Sequence, residues 1–216
     1  MLPVGAAAAF GGILYFVTLV TFGANSTTLN VGYRPTQVVN YSHEMHVNQL
    51  GIDCRYCHTT VDQADFAAIP HTQICLNCHH PADQIAGINK ASPKLDAVRD
   101  SYITGMPVPW SKVHDLADYA YFSHKAHVNR GVGCAECHGR VDKMDDKGVY
   151  QVHNLSMSWC LDCHRHPEKY LRPTDQITNM SWQEPENDRL KIGLELKGTY
   201  NIRNQAYMTA CSTCHR

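Results

Sequence analysis

Five times along the chain, two cysteines stand three positions apart with a histidine directly after the second. The five sites are Cys54/Cys57/His58, Cys75/Cys78/His79, Cys134/Cys137/His138, Cys160/Cys163/His164 and Cys211/Cys214/His215. They use all ten cysteines of the 216 residues. Histidine fills 14 positions, so five out of five by chance has odds on the order of one in a million. The spacing has a chemical reason. Two thiols three positions apart reach the two vinyl groups on one edge of a haem and form thioethers. The next histidine then lies under the iron as an axial ligand. Structural zinc and disulfides also use paired cysteines, but neither needs a histidine after every pair. The motif therefore predicts five haem c groups, with the ten cysteines as thioether partners and His58, His79, His138, His164 and His215 as proximal ligands.

Composition points the same way. Charged residues make up 18% of the chain. Long apolar runs are scarce after residue 22, so aliphatic side chains alone make a thin core for this length. The expected fold is a multihaem cytochrome c: short α-helices and loops packed around five haems, with little or no β structure. The formal net charge is −1. Two propionates on each haem would take it towards about −10, which favours basic docking partners. There is no basic stripe, so nucleic acid is not an expected partner.

Leu2 to Phe22 reads LPVGAAAAFGGILYFVTLVTF, and the first charged residue is Arg34. This stretch matches one helical crossing of a bilayer core. A cleaved signal peptide is the rival reading, but a basic leading segment is missing and the apolar run is long for one. Residues 1–33 are thus expected to be a transmembrane anchor and linker, and 34–216 the haem domain. Gly5, Gly11, Gly12 and Ala6 to Ala9 give the helix a small-residue face, of the kind that packs on another helix in lipid. No nearby Lys or Arg fixes orientation. Among c-type cytochromes in general, haem is attached outside the cytoplasmic membrane. That places the N-terminus inside and the haem domain on the periplasmic or outer side of a single-pass protein.

The chain also contains a repeat. Residues 41–58 read YSHEMHVNQLGIDCRYCH and residues 122–138 read FSHKAHVNRGVGCAECH. Each has an aromatic residue, then Ser-His-x-x-His-Val, then a haem motif, and a second motif follows. Two-haem modules are expected at about 41–80 and 122–166, with the fifth site at 211–215. Residues 81–121, with Pro93, Pro107 and Pro109, read as a turning linker, and 165–210 as a second long connection. Short helices are expected near 44–50, 94–101 and 187–197.

Low-spin haems need a second axial ligand. Nine histidines lie outside the motifs. The Ser-His-x-x-His elements resemble those of small multihaem cytochromes of the c3 and c7 type. That resemblance implies His43 as distal ligand to the Cys54/Cys57 haem and His124 to the Cys134/Cys137 haem. His46 and His127 would then each reach a different haem. Positions three apart on a helical turn share a side, so one turn could clamp two haems. For the fifth distal position Met157 and His114 compete, with His153 behind them. A methionine ligand would raise that haem's potential. His80 and His166 suit propionates or solvent, and His71 is undecided.

Pentahaem nitrite reductases share the haem number, but have lysine at one motif histidine and an open iron. Here every motif ends in histidine, so a catalytic iron is not expected. Small anchored quinol dehydrogenases with four haems share the single helix. They carry methionine two residues past a motif histidine, where this chain has Thr60 after His58. The runs PVPWSKVHDLADYAYFSHKAHVNRGVGCAECHGRVDKM, LSMSWCLDCHRHP, YSHEMHVNQLGIDCRYCHTTV and IPHTQICLNCHH resemble the pentahaem subunit of alternative complex III across residues 41–167. The resemblance implies an electron-relay subunit of a quinol:acceptor oxidoreductase. Its partners would be an iron–sulfur/molybdopterin-oxidoreductase-like subunit, polytopic membrane subunits that hold the quinol site, and a monohaem cytochrome c. A soluble carrier or terminal oxidase would take the electrons, and this chain would have no substrate site of its own.

Overall fold

The computed structural model describes residues 2–23, 30–81, 88, 91–184 and 186–215. Helix α1, Leu2–Thr18, runs on into a π-helical turn, Leu19–Gly23. From Pro3 to Gly23 its 21 residues are long and apolar enough to cross a membrane. Within it the Thr18 hydroxyl is satisfied internally, because Oγ1 donates to Leu14 O at 2.7 Å. Among the described residues, a Cβ placed at Gly5, Gly11 or Gly12 would meet nothing. After residues 24–29, which lie outside the described residues, Gly32 N donates to Gln151 O and Gln151 N to Tyr33 O, at 2.8 and 3.1 Å. The linker end is thereby tied to the body.

The body is helices and loops. Among the described residues there is no strand, only one antiparallel bridge between Val132 and Leu171. Helices α2 (Cys54–Cys57), α3 (Thr72–His79), α6 (Cys134–His138), α7 (Met157–Arg165) and α10 (Cys211–Cys214) each carry one cysteine pair. The helix expected near 44–50 is a π-helical turn, Glu44–Gln49. Its counterpart in the repeat is α5, His124–Val128. Near 94–101 stands α4, Asp96–Thr104, led in by a 3-10 turn at Pro93–Leu95. Ser92 accepts from Lys94 N, Pro93 fixes the first turn, and Gly105 ends α4 with a left-handed φ of 71°. The predicted linker is therefore partly a helix that packs. Its Val98 joins Val39 and Leu76 in a buried cluster, which seats α4 on α3. Residues 82–87, 89 and 90 of that linker lie outside the described residues.

The second long connection is also ordered. Helix α8, Glu186–Thr199, lies across the 3-10 turn Pro167–Lys169. Gly193 makes this possible, because a Cβ there would collide with the backbone carbonyl of Glu168. Helix α9, Gln205–Met208, then packs on α7 before the last site. Arg172, 3% exposed, donates to Glu136 Oε1 at 2.5 Å and to Asn179 O at 3.2 Å. Its guanidinium also sits 4.9 Å from the Trp182 ring centre. Glu136 lies between the cysteines of the third site, so this buried pair locks the connection onto that site.

The apolar core is as thin as composition suggests. The chain exposes 14170 Å², where a compact monomer of 24.2 kDa would expose about 10,000 Å². Part of the excess is the apolar anchor.

Candidate functional site

Each cysteine pair occupies a single helical turn, so the two sulfurs share one face and the histidine follows at its end. Side chains set several of these turns or the helices that lead into them. Asp53 Oδ1 accepts from Arg55 N at 2.8 Å, Ser156 Oγ from Trp159 N at 3.3 Å, and Asn204 Oδ1 from Tyr207 N at 2.9 Å. None of the ten cysteines is joined to another as a disulfide.

The histidines divide by what their Nδ1 atoms do. Four motif histidines give Nδ1 to a backbone carbonyl. These are His58 to Ala68 O (2.9 Å), His79 to Ile88 O (2.6 Å), His164 to Met208 O (2.9 Å) and His215 to Tyr119 O (3.0 Å). Three non-motif histidines do the same: His46 to Ser42 O (2.8 Å), His124 to Asp65 O (2.8 Å) and His127 to Ser123 O (2.7 Å). A carbonyl acceptor fixes the proton on Nδ1, orients the ring and leaves Nε2 with its lone pair for a metal. The other histidines are used differently. His71 meets the Gln73 side chain, His166 faces Glu168, His80 packs on Tyr102 and His153 stacks on Trp159.

The repeat seen in sequence is a repeat in geometry. Tyr41 stacks on His46 with ring centres 4.4 Å apart and meets His43 edge-on at 4.8 Å. Phe122 stacks on His127 at 4.5 Å and meets His124 edge-on at 4.8 Å. The leading aromatic residue thus holds both histidines of its turn. Sequence reading noticed that residue without finding its role. The carbonyl acceptors were invisible to it, since any residue supplies one.

Three pairs of imidazoles face each other at nearly one spacing. Ring centres are 6.3 Å apart for His46 and His79, 6.5 Å for His124 and His138, and 6.1 Å for His127 and His164. Metal–imidazole bonds are about 2 Å, so two rings sharing one metal ion sit about 6 Å apart, centre to centre. His43 lies near enough to His58 for their charges to interact. Burial, then His58 and His46, lowers the pKa of His43 to about 4. Burial, then His114, His124, His58 and His43, lowers that of His138 to about 3. Burial also lowers His127 and His114. Neutral imidazole is the form that ligates metal.

The two rivals for the remaining position are placed differently. Met157 opens α7 and is 61% exposed. His114 is half-buried, and its Nε2 is enclosed without a hydrogen-bond partner. Its ring lies 4.5 Å from that of His138, at 82°. The ring neighbour of His215 is Tyr119, with centres 5.8 Å apart.

The donor set fits haem better than zinc or disulfides. It consists of cysteine pairs on single turns and imidazoles in facing pairs. Among the described residues no cluster of three or more His, Cys, Asp or Glu could hold a metal ion alone. A structural zinc needs four such ligands. An iron already held by a porphyrin needs only two more.

Known proteins agree at this level. Residues 120–216 match the family described as cytochrome c7 and related cytochrome c. The chain is 26% identical over 212 residues to the menaquinone reductase, multiheme cytochrome c subunit, of Nitratidesulfovibrio vulgaris (strain Hildenborough). The match covers 98% of this chain and 90% of that one.

Proposed function

We propose, for a chain with the multihaem cytochrome c fold, that it binds five haem c groups and relays electrons within a quinone-linked membrane complex. The observation that carries this reading is the set of facing imidazoles at about 6 Å, each oriented by a backbone carbonyl or by burial. Bound there, haem iron supplies reversible one-electron chemistry. The ten cysteines hold the groups covalently. His58, His79, His138, His164 and His215 are the proximal ligands. His124, His46 and His127 are distal ligands facing His138, His79 and His164 respectively, and His43, which lies near His58, is the distal ligand there. This agrees with the ligand pattern that the resemblance to c3- and c7-type cytochromes implied. Of the two rivals for a further ligand, His114 has the stronger support. Its buried Nε2 lacks a partner, and Met157 faces outward.

With a distal histidine for each of the first four motif histidines, four of the five irons are six-coordinate. That favours a relay over a reductase. Pro3–Gly23 crosses the cytoplasmic membrane once, and the haem domain stands on the outer side. The small-residue face of α1 packs on a polytopic partner helix. The finer reading is the pentahaem subunit of alternative complex III, with the quinol site in polytopic membrane subunits. An iron–sulfur/molybdopterin-oxidoreductase-like subunit and a monohaem cytochrome c complete that complex. The likeness to a menaquinone reductase subunit supports a second direction, in which electrons pass towards menaquinone. Both give this chain the same task.

Gentle detergent extraction tests the proposal. The chain is expected to purify with polytopic membrane subunits, and its haems to exchange electrons with a quinol or quinone only in that assembly. A lone chain that oxidises quinol at full rate would instead make it a small anchored quinol dehydrogenase.

A further inference from the structure

The five sites can be ordered in space by the residues that lie between and beside their cysteines. They are numbered I to V along the sequence. Sites I and II touch through their own turns: Asn77 Nδ2, inside II, donates to Tyr56 OH, inside I, at 2.9 Å. Tyr41 bridges them as well, with its ring on His46, which pairs with His79 of II, and against His43, which lies near His58 of I.

Sites I and III meet at several points. Segment 177–178 spans them: Cys134 N donates to Ile177 O at 3.1 Å, and Thr178 Oγ1 donates to Asp53 Oδ2, the cap of site I, at 2.8 Å. Residues just after site I carry the clamp of III, since His124 N and Lys125 N donate to Asp65 O and Ala64 O, at 3.0 and 3.1 Å. Sites III and IV share the turn His124–Val128: His124 faces His138 and His127 faces His164. Sites IV and V are joined by His164 Nδ1, which donates to Met208 O in the turn leading into V. Helix α9, which holds Met208, packs on α7.

Exposure is an independent sign. Cys78 of II and Cys211 of V are exposed, and the other eight cysteines are partly buried.

We infer that the attachment sites form one unbranched row in the order II–I–III–IV–V, with the Cys75/Cys78 and Cys211/Cys214 sites as its two ends. Sequence order would have put site I at an end. The inference deepens the relay reading and takes its functional meaning from it. Each sulfur is bonded to the edge of its haem, so neighbouring sulfurs bring edges together. Electron exchange weakens steeply with distance and therefore follows the row. Electrons enter and leave at II and V, and the first module turns its second site outward.

A high-resolution structure of the haem-loaded protein in its complex tests the order by iron-to-iron distances. The expected nearest neighbours are II–I, I–III, III–IV and IV–V, with II–III longer than I–III. A II–III distance shorter than I–III would overturn the order. A solution test uses His46→Met, which should raise the potential of the haem at II. The haem at I should respond through its charge and the haem at III much less. A stronger response at III than at I would also overturn the order. Neither readout depends on quinone activity. Irons in the inferred order within a protein that exchanges no electrons with quinone would sink the relay reading and leave the order standing.

Discussion

The two modules share a clamp and differ in what supports it. In both, an aromatic residue stacks on the second histidine and meets the first edge-on, at matching distances. In both, the second histidine gives Nδ1 to the carbonyl of the preceding serine. The first histidines part company. His124 donates to Asp65 O, which belongs to the other module, while His43 Nδ1 is buried without a partner. The second module is further braced by Arg172, Glu136 and α8. A seven-residue sequence pattern, 41–47 and 122–128, thus fixes local geometry twice over. Long-range contacts decide how firmly each copy is held, and a ligand ring fixed by an outer hydrogen bond is the more basic and better oriented one.

That contrast can be broken most severely at the ligands. His124→Ala should turn the haem at Cys134/Cys137 from low-spin to high-spin, and His46→Ala should do the same at Cys75/Cys78. Electron paramagnetic resonance should read one haem equivalent in each case. An unchanged spectrum would remove that residue from the ligand set. The bracing comes next. Arg172→Ala leaves Glu136 half-covered beside Arg189 and should cost about 3–5 kcal/mol. The thermal transition of the second module should fall, with the haems at Cys54/Cys57 and Cys75/Cys78 affected last. Gly193→Ala drives a methyl into the Glu168 carbonyl and should cost about 1–3 kcal/mol by the same measurement. Replacing Tyr41 or Phe122 by Leu should cost about 0.5–1.5 kcal/mol each and, if the clamps are equivalent, nearly the same amount.

Acid should act on both modules through one cause. His43 and His138 are held neutral in the fold, with pKa values lowered by burial to about 4 and about 3. Unfolded histidine takes up a proton near 6.5, so stability is full above that pH. It falls as the pH drops towards those values, by about 1.4 kcal/mol per pH unit for each group. Iron competes with the proton for the same ring nitrogen, so low-spin haem should outlast this range and be lost only at lower pH in an acid titration.

Much of this was legible in the sequence, and the reasons are particular. The cysteine pairs and their histidines are a local code, because one helical turn carries out the spacing rule. The clamps were legible through their repeat, and α4 and α8 fell near their expected positions. What stayed hidden depends on distant backbone. Ala68, Ile88, Met208 and Tyr119 orient four histidines with carbonyls that any residue could offer. The buried Arg172–Glu136 pair joins positions 36 apart in the chain. Closeness in sequence to Cys160 brings Met157 into the choice with His114 and says nothing about burial.

The central claim is that facing histidines hold the irons six-coordinate, as a relay requires. The electron paramagnetic resonance spectrum of the intact, fully oxidised protein tests it most directly. Low-spin ferric signals from sites I to IV are the predicted result. A high-spin signal from two or more of those sites in undamaged protein would contradict the account.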